Sequence, residues 1–357
     1  ASLLLVNKPT SNKLDLYLSP ASAQTVGGNV SVALQSGTIP GIATVSASVT
    51  AGTQAIASEA RVTIVAGLPE HDHFSAAVEK FNVAGYVTLG IETKVTAFVG
   101  DRYSNPVPIG TPVSFFTEGG IISVKDPSGN PTNLTNNLSQ ALATHVTAAP
   151  LPNTVSAFNG LIGLSTVLVT TQGQETYTDS NGNGIYDEGE LFVDLGEPFI
   201  DKNDNGTFDT GEFYVDVDLN GAWSGPNGIW DNNTIIWTSN RILFSANTAP
   251  IAIDPSNFAI PNGGSQAFSF RVTDSNGNPL VAGSTVKVTA TGGTLVGWKD
   301  VVIPDTRFPG PNITDFTFTL ADDSATDTDP PKLVSVSVEV TSAANENGSA
   351  SAIGTLD

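Results

Sequence analysis

The chain has 357 residues, a net charge of −21, and neither cysteine nor methionine, which excludes a disulfide scaffold and thiolate metal sites. So acidic a chain does not hold nucleic acid through its phosphates, and no apolar run approaches the roughly 18 residues of a membrane span. Hydrophobic residues make up 39% and charged ones only 14%, the balance of a globular protein of two or three domains wetted by Thr, Ser and Asn.

The chain opens Ala1-Ser2-Leu3 without an initiator methionine, which reads as signal removal or as the choice of segment expressed. Together with the missing cysteines this leads us to expect an extracellular or cell-surface protein. Nearly every apolar segment is short, β-branched and bounded by Gly, Pro, Asn or Asp. In chain order they are 14–18, 30–34, 43–49, 62–65, 95–99, 113–116, 234–244, 267–272, 286–289, 316–320 and 333–340. Such segments are strands. In the last of them Val334, Val336, Val338 and Val340 alternate with polar residues, so the four share one face. Helical periodicity is confined to a turn or two expected at 74–81. The fold expected is all-β, built of tandem sandwiches.

An internal repeat sets the units. Asp101-Arg-Tyr-Ser-Asn105-Pro106-Val107 realigns with Asp274-Ser-Asn-Gly-Asn278-Pro279-Leu280 at an offset of 173 (274 − 101), and Val113, Phe115 and Gly119-Gly120 realign with Val286, Val288 and Gly292-Gly293. This is a strand, a turn set by Asn-Pro, a second strand and a glycine bend. The pattern resembles the bacterial immunoglobulin-like repeats of the invasin and intimin type. That resemblance implies immunoglobulin-like sandwiches, a surface location and an adhesive role. It covers parts of two units and encodes turns rather than chemistry. The expected units are a partial one at 1–67, a sandwich at 72–248 carrying an insertion at 175–231, and a complete sandwich at 249–357. The partial unit lacks the Asn-Pro half. It either packs on its neighbour or is completed by a strand from another molecule, for which Leu3-Leu4-Leu5-Val6 and the C-terminal tail are the donors to consider.

The insertion holds the most specific signal. Asp179-Ser-Asn181-Gly-Asn183-Gly184-Ile185-Tyr-Asp187-Glu-Gly-Glu190 and Asp201-Lys-Asn203-Asp-Asn205-Gly206-Thr207-Phe-Asp209-Thr-Gly-Glu212 agree at seven of twelve positions, at an offset of 22 (201 − 179). Side-chain oxygens at positions 1, 3, 5, 9 and 12 with glycine at 6 are the spacing of an EF-hand-type calcium loop. The residue at position 7, Ile185 or Thr207, offers its backbone carbonyl, and the last glutamate binds through both oxygens. The flanks are wrong for a helix pair. Residues 161–171 are strand-like, and the ten residues 191–200 contain Pro198. The loops therefore resemble the dockerin or thrombospondin style, and a static staple is expected in place of a switch.

From Asp179 to Asp231 there are thirteen carboxylates and one base, Lys202, a net of −12. Packing such charge compactly calls for cations, and two or more Ca2+ ions are expected. A third cluster, Asp216-Val-Asp218-Leu-Asn220-Gly221, has Asn227 at position 12, so it needs Asp231 or a more distant ligand. Asp194 and Glu197, between the two good loops, are read as bridges between ions.

Glu70-His71-Asp72-His73 reads as a polar linker, and no nucleophile elbow, phosphate loop or dinucleotide fingerprint occurs. A non-catalytic structural protein is expected, an adhesin or a self-assembling fibre subunit. Its partners would be further copies of itself or a surface, host or matrix ligand. The alternative is a carbohydrate-binding accessory module, with Trp223, Trp230 and Trp237 either stacking on sugars or forming the core of the insertion.

Overall fold

The computed structural model describes residues 2–7, 16–37, 39–51, 54–323, 330–344 and 346–357. Among them there is no helix, and the chain is a succession of sheets of two to five strands, antiparallel but for two short parallel pairings. The helical turn expected at 74–81 is a strand, Pro69–Val78. Phe74 and Val78 are buried there while Ser75 and Ala77 face out, so a period of two prevails over the helical preference of Ala76-Ala77.

At the N-terminal end the strands Ser2–Asn7, Gly41–Ala51 and Gln54–Ile64 form a sheet in that order, and Tyr17–Ser19 pairs with Ala33–Gln35. Residues 14 and 15 of the strand expected at 14–18 lie outside the described residues. Both segments considered as donors to another molecule are paired within the chain. Leu3 and Leu5 pair with Ala47 and Val45, and Gly348–Leu356 lies between Asn257–Ile260 and Lys332–Thr341. The C-terminal strand is thus paired on both sides, whereas Ser2–Asn7 is an edge strand with one neighbour.

Two central sheets follow. One has the order Ile121–Ser123, Gln140–Val146, Glu92–Asp101, Pro69–Val78; the other Asn82–Val83, Thr234–Phe244, Leu164–Gly173, Val113–Thr117. Phe74, Val95, Val99, Phe115, Val167, Val169, Ile236 and Phe244 fill the space between them. The C-terminal pair of sheets is built alike. Its core holds two ring pairs stacked across one strand pair, Phe268 on Phe318 and Phe270 on Phe316, at centroid distances of 4.9 and 5.2 Å. Val334, Val336, Val338 and Val340 are all buried there; each valine so placed contributes about 1.5–2 kcal/mol.

The repeated Asp-Asn motif does more than turn the chain. The Asp101 carboxylate accepts N–H bonds from Tyr103 and Asn105, and Asp274 accepts the matching pair from Asn276 and Asn278. Each also reaches the segment leading into its sheets: Gly67 N–H donates to Asp101 at 3.1 Å and Ala246 N–H to Asp274 at 2.8 Å. A turn motif thereby becomes a pin on the incoming chain. Asp274 is fully buried, so Asp274→Ala, which strands three N–H groups, is expected to cost about 2–3 kcal/mol in urea unfolding.

His145 is also fully buried. Its Nε2–H donates to Gly119 C=O at 2.8 Å, and its ring stands edge-on to Phe244. Burial lowers its pKa from the ordinary 6.5, the Gly119 bond opposing in part. The unfolded chain then takes up the proton first, so stability falls as pH drops below 6.5. Thermal melts from pH 7 downward are expected to show a shallower acid decline in His145→Phe than in the parent.

Candidate metal centres

The acidic segment hangs between two neighbouring strands. Leu164–Gly173 and Thr234–Phe244 are antiparallel partners with Gly173 opposite Thr234, so both ends of residues 174–233 are fixed side by side on one sheet. Within the segment, isolated bridges join Tyr177 to Phe192 and Phe199 to Tyr214, closing the base of each twelve-residue loop.

The two loops share one hydrogen-bond plan. In the first, the Asp179 carboxylate takes the N–H groups of Gly182, Asn183 and Gly184 at 2.7, 3.1 and 2.8 Å. The Asn181 and Asn183 amides converge on Asp187 Oδ2 at 2.6 and 2.7 Å. The last glutamate closes the ring, Glu190 accepting from Ser180 N–H at 2.7 Å and Asp187 N–H at 3.0 Å. The second loop repeats this. Asp201 takes Asn205 and Gly206, Asn203 and Asn205 meet Asp209, and Glu212 takes Lys202 and Asp209. Thr207 N–H and Oγ1–H both donate to Asn205 Oδ1. Positions 4 and 6 lie at positive φ, 75° at Gly182 and 81° at Gly184, which curls the main chain around the centre of the loop.

The third cluster follows the same plan, with a glutamate borrowed from upstream. Asp216 accepts from Asn220 and Gly221. Glu197 takes Val217 N–H at 2.6 Å and Ser224 N–H at 2.9 Å, the bonds that position 12 makes in the first two loops. Ser224 stands at position 9 and hydrogen-bonds Asp218. Carboxylate oxygens of Glu197, Asp216 and Asp218 lie within 4.8 Å of one another, a group able to hold an ion.

Asp231, expected beside the third cluster, lies elsewhere. It belongs to a fourth arrangement assembled from three stretches of chain. Asp194 accepts from Asn227 N–H at 3.0 Å and Gly228 N–H at 2.6 Å. Asn227 takes Ile229 N–H and donates to Asp231, and Glu175 takes Leu195 N–H at 2.7 Å and Asp231 N–H at 2.9 Å. These are the bonds of positions 1, 5, 7, 9 and 12. Asp194 and Glu197, read above as bridges, fall in different arrangements: Asp194 opens the fourth and Glu197 closes the third. Gly196 stands where the third cluster has Asp218 (196 + 22 = 218), so the fourth lacks a side chain at position 3.

Glu175 lies outside the sequence expectation, yet its signal was present. The offset of 22 continues past the twelve residues: Glu175 to Glu197, Tyr177 to Phe199, Phe192 to Tyr214 and Asp194 to Asp216. Glu175 is fully buried. Burial pushes its carboxyl up, and Asp231 and Asp194 add to the shift, against the two N–H bonds. Asp179 goes the other way: desolvation pushes its carboxyl up, but the N–H bonds from Gly184, Gly182 and Asn183, with the Arg102 charge, together hold it low.

The aromatics at position 8 tie the arrangements into pairs. Tyr186 stacks on Trp230 at 4.7 Å and Phe208 on Trp223 at 4.8 Å, joining the first arrangement to the fourth and the second to the third. The indole N–H of Trp223 goes to Glu197 C=O, that of Trp230 to Glu175 C=O and that of Trp237 to Gly196 C=O. All three tryptophans are half-buried, with their polar handles spent inside the insertion.

No family model and no curated protein sequence matches the chain. Among solved structures it is similar to invasin, described as a bacterial integrin-binding protein, at 14% identity over 96% of this chain and 51% of that one, with a TM-score of 0.29. Yersinia pseudotuberculosis InvD shares 12% identity over 100% and 87%, TM-score 0.34. The Escherichia coli adhesin FdeC shares 16% over 91% and 76%, TM-score 0.32.

With the indole groups committed as described, tryptophan fluorescence is expected to stay unchanged across a broad oligosaccharide panel. A saturable change would assign these rings to sugar binding.

Proposed function

We propose that the chain is a non-catalytic, extracellular or cell-surface structural protein whose insertion is stapled by calcium, and that it serves as an adhesin or a subunit of a self-associating assembly. Its units are immunoglobulin-like: 1–67 partial, 72–248 bearing the insertion 175–231, and 249–357. A short early strand running parallel to the last strand, Asn82–Val83 with Thr234–Phe244 and Asn257–Ile260 with Gly348–Leu356, supports that reading of the two larger units.

One observation carries the calcium reading: a single hydrogen-bond plan recurs four times. The ligands assigned are Asp179, Asn181, Asn183, Asp187, Glu190 and the Ile185 carbonyl; then Asp201, Asn203, Asn205, Asp209, Glu212 and the Thr207 carbonyl. The third set is Asp216, Asp218, Asn220, Ser224, Glu197 and the Ala222 carbonyl, and the fourth Asp194, Asn227, Asp231, Glu175 and the Ile229 carbonyl. Each set holds three carboxylates and only oxygen donors, the hard-ligand set of Ca2+ at about 2.3–2.6 Å. Mg2+ favours a rigid octahedron at about 2.0–2.1 Å, which suits these carbonyl-rich loops less well. The adhesive role rests on the resemblance of the Asp-Asn-Pro motif to invasin-type repeats. For self-association, the sheet edge at Gln54–Ile64 has no neighbour on its outer side among the described residues, and Ile56 and Val62 on that strand are exposed.

The test is thermal melting with and without calcium. Calcium at about a thousand times its Kd is expected to add about 4 kcal/mol per site, provided the unfolded chain does not bind it. Glu190→Gln should remove much of that gain. In calcium Glu175→Gln should lower Tm through the lost ligand. A chain whose melting is indifferent to calcium would contradict the reading.

A further inference from the structure

The second loop differs from the first at a position that coordinates nothing. Position 4 needs a left-handed residue, and the first loop uses Gly182, φ 75°. The second places Asp204 there, φ 56°, a conformation that costs any side chain something and aspartate less than most. The side chain is not wasted on solvent. It is 1% exposed and forms an ion pair with Arg241 Nε. The main chain of the same loop is tied down on either side: Ala157 N–H donates to Asn203 C=O at 2.6 Å, and Thr166 Oγ1–H to Asp201 C=O at 3.1 Å.

Arg241 in turn meets the C-terminal sheets. Arg307 Nη1 donates to Arg241 C=O at 2.8 Å and to Asn240 Oδ1 at 2.9 Å. The Arg307 guanidinium covers the Phe81 ring at 5.1 Å, and Phe308 packs on Phe158 at 5.3 Å beneath Arg241. Next to them Asp305 accepts the N–H groups of Phe81 and Asn82, and the Asn82 amide donates to the carbonyls of Pro279, Leu280 and Thr306. This is a built junction between the central and C-terminal sheets. Two guanidiniums, Arg241 and Arg307, sit in it, and Asp204 is the carboxylate that balances them.

We infer that the ion held by residues 201–212 locks this junction, so that calcium sets the angle between the central and C-terminal sheets. The inference rests on the calcium reading of that loop. With the ion in place, Asp201, Asn203 and Asn205 are fixed, and Asp204 is delivered to Arg241 at no further ordering cost. Without it, Asp201, Asp209 and Glu212 repel, the loop opens, and the withdrawal of Asp204 takes its charge away from the guanidiniums of Arg241, over Phe158, and Arg307, over Phe81 and Phe308.

The absence of native cysteine allows a clean test on the full chain. Spin labels at Ser128→Cys and Ser349→Cys, both exposed, report the separation of the two pairs of sheets by pulsed dipolar spectroscopy, while native mass spectrometry counts bound ions. The distance distribution is expected to be narrow in calcium and broad in chelator. Asp204→Gly, which copies Gly182 of the first loop, should keep the full ion count and yet be broad in both conditions; Glu190→Gln, in the first loop, should lose an ion and stay narrow. A distribution that stays narrow after the ions are stripped, or in Asp204→Gly, overturns the inference and leaves calcium binding intact. A parent chain that holds no ion overturns both, and the ion count separates the two failures.

Discussion

Everything about the insertion follows from carboxylates gathered where little else can hold a chain together. Between Glu175 and Asp231 there are fourteen, and twelve fall into four groups of three: Asp179, Asp187, Glu190; Asp201, Asp209, Glu212; Asp216, Asp218, Glu197; Asp194, Asp231, Glu175. The remaining two are Glu188 and Asp204. Main-chain N–H groups and Asn amides satisfy part of each group, but they supply no full positive charge. The conflict is plainest at fully buried Glu175, whose carboxyl is pushed up by burial and further by Asp231 and Asp194. Cations at the four centres would turn the largest destabilising term of this segment into its principal cross-links.

The rest of the insertion is arranged around that constraint. It has no strand or helix of its own among the described residues, so four aromatic side chains at position 8, stacked in two pairs against the buried Tyr177 and Phe199, take the place of a core. The ends leave adjacent strands at Gly173 and Thr234, which makes the segment an outgrowth of one sheet and not a tether. Ends fixed side by side on a rigid sheet remove the loop-closure part of the ordering cost before any ion arrives. That favours a permanent staple over a switch, as does the lack of helices to move among the described residues.

The strands were legible because burial imposes a period of two. The residues 234–244 and the valines 334, 336, 338 and 340 stand as their pattern implies. At 74–81 local helical preference misled, since Phe74 and Val78 fit either period and only the neighbouring strand Glu92–Asp101 decides between them. The two contiguous loops could be read because every candidate ligand lies within twelve residues. The other two could not be read by that rule: their closing glutamates precede the rest of the site, and the fourth is split between Asp194 and Asn227 by the whole second loop. Only the offset of 22, followed past the loop ends to Glu175 and Asp194, carried that information. The pairing of Asp204 with Arg241 left no trace in spacing at all.

The central claim is that one ligand plan is used four times, and counting ions tests it most directly. Native mass spectrometry of the full chain, titrated with calcium at neutral pH, is predicted to saturate at four ions, falling to three in each of Glu175→Gln, Glu190→Gln, Glu197→Gln and Glu212→Gln. Saturation at two ions, unaffected by Glu175→Gln and Glu197→Gln, would contradict it and leave only the two contiguous loops as calcium sites.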